Sequence, residues 1–112
     1  MKINPRDVGD VTILDLEGKI LIGDPIGILR ESIDMLVARD KVRVLLNFAD
    51  VPMIDSSGLG EIVRSYTTIT RQGGLIKIFN LANRVKDLLI ITKLVTVFEM
   101  YDSEQEAIDS FK

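Results

Sequence analysis

Hydrophobic positions recur along this chain in two alternating modes: short β-branched or continuous apolar runs, and stripes spaced three and four residues apart. Ile3–Val8 and Val11–Glu17 are two such runs, joined at Gly9-Asp10, a dipeptide with turn chemistry, and predict a pair of antiparallel strands. In the second strand Val11, Ile13 and Leu16 are expected to face inward. Helical spacing then takes over. Ile26, Leu29, Ile33, Leu36 and Val37 form one apolar stripe, with Arg30, Glu31 and Asp34 on the opposite side. The segment predicts a helix from Pro25 to Arg39, with Asp24 as N-cap and Pro25 at the first helical position, where its missing N–H is no loss.

Val42–Phe48 is nearly continuous apolar sequence, short and β-branched, as expected of a strand covered on both faces. Ala49 to Ile54 form a loop containing Pro52, and a second helix carries the stripe Leu59, Ile62, Val63, Tyr66 and Ile69 until Gly73-Gly74 ends it. Leu75–Phe79 reads as another buried strand, Asn83–Thr92 as a third helix and Thr96–Phe98 as a last strand. Ser103-Glu104-Gln105-Glu106 matches a capping box, opening a final helix that buries Ala107, Ile108 and Phe111. The order β-β-α-β-α-β-α-β-α predicts an α/β fold. Its mainly parallel sheet has four to five strands, an N-terminal antiparallel edge hairpin and about four helices. Such sheets place their working site beyond the carboxyl ends of the central strands, which here points to the loop carrying Asp55-Ser56-Ser57-Gly58.

Composition narrows the chemistry. A chain of 112 residues with 46% hydrophobic and 28% charged residues is a single folded domain over residues 1–112 rather than a disordered tail. The net charge of −3 disfavours nucleic acid, whose phosphates need a clustered positive surface. Without Cys there are no disulfides or thiolate sites, and without His there is no Ser-His-Asp triad or imidazole metal site. Asp and Glu are scattered, so neither a metal nor another cofactor is expected. No apolar stretch approaches the ~20 residues that span a bilayer, and the N-terminus lacks a signal-peptide core. The expectation is a cytoplasmic protein with no membrane insertion, one that binds or switches rather than catalyses.

Asp55, Ser56, Ser57, Gly58 and Gly60 are five small or polar residues at one strand-loop-helix junction. The first turn of a helix offers free N–H groups and the positive end of the helix dipole, which together stabilise a phosphate. Ser or Asp at a helix start is most often simply its N-cap. Two glycines in one helix start are harder to explain, since each costs up to ~1 kcal/mol relative to alanine. Glycine does let another backbone come close. Known enzyme motifs fail here. A nucleophile elbow needs Gly where Ile54 or Asp55 stands, a P-loop fails at Gly18-Lys19-Ile20, and a dinucleotide fingerprint fails at Val63. A phosphoaspartate receiver acting through Asp55 lacks the acidic pair that would hold its cation.

Val51-Pro52-Met53-Ile54-Asp55-Ser56-Ser57-Gly58-Leu59-Gly60, after the strand Val44–Phe48, resembles the signature of the STAS family, and more narrowly that of bacterial anti-sigma factor antagonists. Gly73–Ile78 and Val85–Leu89 match the later pattern, so the resemblance covers nearly the whole chain. It implies a STAS-like fold and a switch between partners. The unphosphorylated protein binds an anti-sigma factor with serine kinase activity and so frees a sigma factor for transcription. The kinase phosphorylates the second serine of the pair, here Ser57 and less favourably Ser56, and a PP2C-type phosphatase resets it. Asp24, Asp55, Ser56, Ser57, Gly58, Leu59 and Glu61 are then the expected partner-binding residues, on a protein that is a monomer when isolated and not an enzyme.

The chain departs from that family between Gly18 and Pro25, where antagonists show Gly-x-Leu-Asp and this sequence reads Gly18-Lys19-Ile20-Leu21-Ile22-Gly23-Asp24-Pro25. Ile20, Leu21 and Ile22 are candidate partner contacts, but the favoured expectation is that at least two of them pack inward as a strand extension. Glu61 and Arg64, three apart, are expected to form a weak surface pair or to rim the binding face. Tyr66 and Phe79 are expected in the core, while Met53 and Ile54 either touch the partner or anchor their loop. A second functional reading keeps the fold and makes the chain a constitutive STAS subunit of a larger assembly, such as a lipid-transport complex or a signalling scaffold, with Ser57 only a helix cap.

Overall fold

Two β-branched runs, Lys2–Val8 (β1) and Val11–Glu17 (β2), pair antiparallel through a tight turn at Gly9, whose φ of 62° lies in the left-handed region that glycine enters without strain. A computed structural model describes residues 1–112, and its remaining elements alternate. They are α1 (Asp24–Ala38), β3 (Arg43–Asp50), α2 (Ser56–Arg71), β4 (Leu75–Phe79), α3 (Asn83–Ile91), β5 (Met100–Tyr101) and α4 (Glu104–Asp109). The five strands lie side by side in chain order, with every pairing after the β1–β2 hairpin parallel.

Side-chain alternation assigns the two faces of the sheet. Leu14, Leu16, Val44, Leu46, Phe48, Ile76 and Ile78 point to one side and share a core with Leu29, Ile33 and Leu36 of α1, Ile62 and Ile69 of α2, and Val85 and Leu89 of α3. Val11, Ile13, Leu45 and Phe79 point to the other side, where Ala107 of α4 and Phe111 just beyond it cover them. Val11, Ile13 and Leu16 are therefore all buried, as expected, but on opposite faces. The short α4 leaves part of the second face polar. There Asp15 accepts from Arg6 Nε at 2.7 Å and Asn47 Nδ2 at 2.8 Å, and Arg6 also donates to Glu104. Lys77 is buried on this face, with its ammonium 4.8 Å from the Phe111 ring and 2.9 Å from Glu99.

Two expectations about elements are corrected. Asp24 is not the N-cap of α1. Gly23, at φ 108°, precedes the helix, and Asp24 lies inside its first turn with no side-chain cap bond. Thr96–Phe98 is not a strand. Leu94–Thr96 form a short 3-10 turn, and the last strand is the pair Met100–Tyr101. Phe98 is nonetheless buried, edge-on to Tyr66 at 5.2 Å, so the apolar run serves core packing rather than sheet pairing. Of the expected capping box the serine half forms, with Ser103 Oγ accepting from Glu106 N at 3.2 Å. No helix is long and apolar enough to cross a membrane.

Candidate functional site at the head of the second helix

The site is built where the carboxyl ends of β2 and β3 run into their loops. Residues 18–22 lie alongside residues 50–55, stitched by Gly18 N to Asp50 O at 3.0 Å, Ile20 N to Met53 O at 3.0 Å and Asp55 N to Ile20 O at 3.3 Å. Ile20 and Ile54 form an isolated parallel bridge, and both side chains are buried, as is Val51. Ile54 thus anchors the loop, while Met53 is half-buried along an open apolar groove shared with Leu88 and Ile91 of α3. Of the three apolar residues in the loop that departs from the family, only Ile20 is fully buried. Leu21 is half-buried and Ile22 is 76% exposed, so the strand extension stops after one residue.

Asp55 joins the two loops to α2. Its Oδ1 accepts from Gly58 N at 2.8 Å, capping the helix, and its Oδ2 accepts from Ile22 N at 2.9 Å. The Gly58 N–H, and secondarily that of Ile22, hold the Asp55 carboxyl below its ordinary value of 3.8, because hydrogen bonds to the charged form favour it. With the cap supplied by Asp55, Ser56 and Ser57 fall at the first two helical positions, Ser56 exposed and Ser57 half-buried.

The two glycines separate cleanly. A Cβ on Gly58 would stand 2.2 Å from Ile20 O and 2.6 Å from Ile54 Cγ1, so the expected close backbone is the chain's own 18–22 loop. A Cβ on Gly60 would meet nothing within 4 Å.

Beside Ser57 lies a cleft of about 410 Å³ between α1 and α2, lined among others by Ile22, Arg30, Gly60, Glu61 and Arg64. Glu61 corrects its expected surface position, since its side chain is 1% exposed and two guanidinium groups hold it. Arg30 Nη2 lies 2.9 Å from Oε2, and Arg64 Nε lies 2.9 Å from Oε1. Burial of a carboxylate is tolerated here because both oxygens are paired. Arg64 also reaches Asp34 at 3.0 Å.

The residues expected to bind a partner therefore divide. Asp55, Ser56 and Ser57 come together at the surface, and Asp24 is exposed at the head of α1 outside the cleft lining. Gly58, Leu59 and Glu61 are buried, Glu61 at the wall of the cleft. Leu59 packs into the helix-side core because it continues the inward stripe of α2. The sequence reading missed Arg30 at this site, while Ile22, one of the three residues it offered as alternative partner contacts, lies in the cleft lining. The fold brings Arg30 to Glu61 across 31 residues of chain, a pairing no local spacing signals.

Comparison with known proteins agrees with this architecture. The family model described as STAS domain matches residues 2–107. A protein of Thermotoga neapolitana, named as a homologue of an anti-sigma factor antagonist, is 34% identical over 67 residues, which cover 60% of this chain and 59% of that protein. The anti-sigma-B factor antagonist of Bacillus subtilis is 34% identical over 74 residues, covering 65% of this chain and 66% of the relative. The matches thus span about three fifths to two thirds of these curated relatives' length. A crystal structure from Thermotoga maritima, also described as an anti-sigma factor antagonist, superposes with a TM-score of 0.90 at 26% identity over 96% of this chain and 92% of its own.

Proposed function

The chain belongs to the STAS domain family, with that family's α/β fold, and we propose that it works as an anti-sigma factor antagonist switched by phosphorylation of Ser57. In the unphosphorylated form it binds an anti-sigma factor that is also a serine kinase, and the sigma factor is released. The kinase then transfers the γ-phosphoryl group of ATP to Ser57 Oγ. The hydroxyl proton leaves to a base of the kinase, ADP departs, and binding ends. A PP2C-type phosphatase returns the serine to its starting state. The chain is ligand and substrate in this cycle, not catalyst.

The observation that carries the reading is the division of labour at the head of α2. Asp55 caps the helix, so the Ser57 hydroxyl is not needed for capping. A phosphoryl group there adds about −1.5 to −2 charge at neutral pH. Within the domain the charge meets the positive end of the α2 dipole, so the fold tolerates it. A partner docked on the same surface instead meets a hydrated dianion in place of a neutral hydroxyl. A loss of about 3 kcal/mol weakens binding more than a hundredfold.

Intact-mass and phosphopeptide analysis of the protein from its native cells, with and without Ser57→Ala, tests the reading. The expected result is a phosphoryl group on Ser57 that the substitution removes, together with kinase binding lost in the phosphoprotein. A protein unmodified across growth conditions, or a phosphoprotein that binds its partner as tightly as the unmodified one, overturns it in favour of a constitutive subunit.

A further inference from the structure

The cleft beside Ser57 contains a cation with a free edge. Arg30 holds Glu61 through Nε and Nη2 only, and its side chain is 53% exposed. Arg64, the other guanidinium in the cleft, is engaged at all three of its nitrogens. Its Nε binds Glu61, its Nη1 binds Thr68 and its Nη2 binds Asp34 and the carbonyl of Arg30. Ser57 and Glu61 are four residues apart on α2, so they stand one turn above the other on the same face, roughly 5–6 Å between Cβ atoms. A dianion on Ser57 would therefore face the buried Glu61 carboxylate across a single turn, a repulsive arrangement unless a cation stands between them.

We propose that Arg30 is the internal receptor for a phosphoryl group on Ser57, its free Nη1 edge bridging the phosphate to Glu61 across the cleft between α1 and α2. The inference rests on Ser57 being the phosphorylated residue. A planar guanidinium suits the role because its fork can serve two oxyanions at once. The bridge also changes what a partner meets. The unphosphorylated surface offers a hydroxyl beside an unspent cationic edge, whereas the phosphorylated surface offers a dianion that has drawn that edge to itself.

The test uses full-length protein with phosphoserine installed at position 57 during translation, so that it does not depend on finding the kinase. The charged groups around the position are Arg30 on α1, Asp55, Glu61 and Arg64 on α2 and its cap, and Asp34 of α1 through its pair with Arg64. In ¹⁵N spectra of the otherwise unaltered protein, the Arg30 Nε–H resonance should shift on phosphorylation, while those of Arg39 and Arg71 should not. In a ³¹P titration the second ionisation of phosphoserine should fall about half a unit or more below its usual value near 6, and Arg30→Gln should return it towards that value. An Arg30 resonance indifferent to the phosphate, or a titration identical in the parent and in Arg30→Gln, overturns the inference. The resonance experiment needs no substitution and holds even if the variant folds poorly. Either result is independent of whether the phosphoprotein still binds the kinase, which is the outcome that bears on the switch itself.

Discussion

Two glycines in the first turns of α2 predict substitutions of opposite sign. Replacing a helical glycine by alanine ordinarily stabilises by up to ~1 kcal/mol. Gly60 is positioned to realise that gain. It lies inside α2, it is not among the positive-φ glycines, and a Cβ there meets nothing within 4 Å. Gly58→Ala carries the same propensity gain but places a methyl 2.2 Å from Ile20 O and 2.6 Å from Ile54 Cγ1. Ordinary contact would require about 1 Å of separation between α2 and the 18–22 loop. That loop is held by three backbone hydrogen bonds and by Asp55. Overpacking of this kind costs about 1–3 kcal/mol and here outweighs the helix gain. Gly58→Ala should therefore unfold at lower urea and Gly60→Ala at higher urea than the parent, the two differing by the overpacking cost of about 1–3 kcal/mol at unchanged m-value. In a thermal scan that is roughly 4–15 °C of separation for a domain of this size. Gly58→Ala matching or exceeding the parent would refute the close approach of the loop. A loss in Gly60→Ala would refute the open environment assigned to that position.

Three further outcomes follow from the packing and the charges. Glu61→Ala should cost about 2–4 kcal/mol in urea unfolding, because it removes two charge-assisted pairs at a buried site, whereas Arg30→Gln should cost less, since Arg64 still neutralises Glu61. Phe111→Ala should cost about 3 kcal/mol by the same assay, because Phe111 is one of the few side chains closing the second face of the sheet. Stability should fall in acid and stay nearly flat between about pH 6 and 8. Asp15 beside Arg6, Asp55 on the N–H of Gly58 and Glu99 beside Lys77 all titrate below their ordinary values of 3.8, 3.8 and 4.5. Their contribution is full above those values and disappears as pH drops through the lower native ones, and the sequence has no histidine to titrate near neutrality. A urea midpoint that moves steeply between pH 6 and 8 would contradict this assignment.

The helices and the central strands were legible because their apolar spacing is dictated by burial. Leu29, Ile33 and Leu36 had to share a face, and Val44, Leu45 and Leu46 had to be covered on both sides. Where one apolar residue stands for a whole element, the inference fails. Phe98 is buried against Tyr66 from a turn, and a β-branched run around it looks like a strand without pairing as one. Position-specific caps misled in a similar way. Asp24 before Pro25 has the composition of an N-cap, yet Gly23 takes that place through a backbone angle that composition does not reveal. At the site, the local string Asp55-Ser56-Ser57-Gly58 could be read directly, since cap, serines and glycine are consecutive. The depth of Glu61 could not, because it is decided by Arg30 on another helix. Spacing showed only the short-range partner Arg64 and so suggested a solvated pair.

The geometry also bears on how a switch at this position would act. Asp55 spends one carboxylate oxygen on the helix and the other on the 18–22 loop, and Gly58 lets that loop's backbone press directly against α2. The two loops are thereby locked to the same helical turn before any partner arrives. A surface so preorganised loses little conformational freedom on binding, which favours affinity. It also has little slack with which to answer phosphorylation by local adjustment, because close-packed contacts have no room to shift. Change at Ser57 must therefore be expressed through charge and hydration at an almost fixed shape. The group in the same cleft that is free to respond is the half-exposed Arg30, whereas Asp55 and Arg64 are already committed to partners within the fold. The same reasoning accounts for an isoleucine left 76% exposed at position 22. Its backbone N–H is fixed by Asp55 while its side chain projects from the rim of the cleft, so it presents apolar surface beside Ser57 without the entropic penalty of ordering a mobile loop.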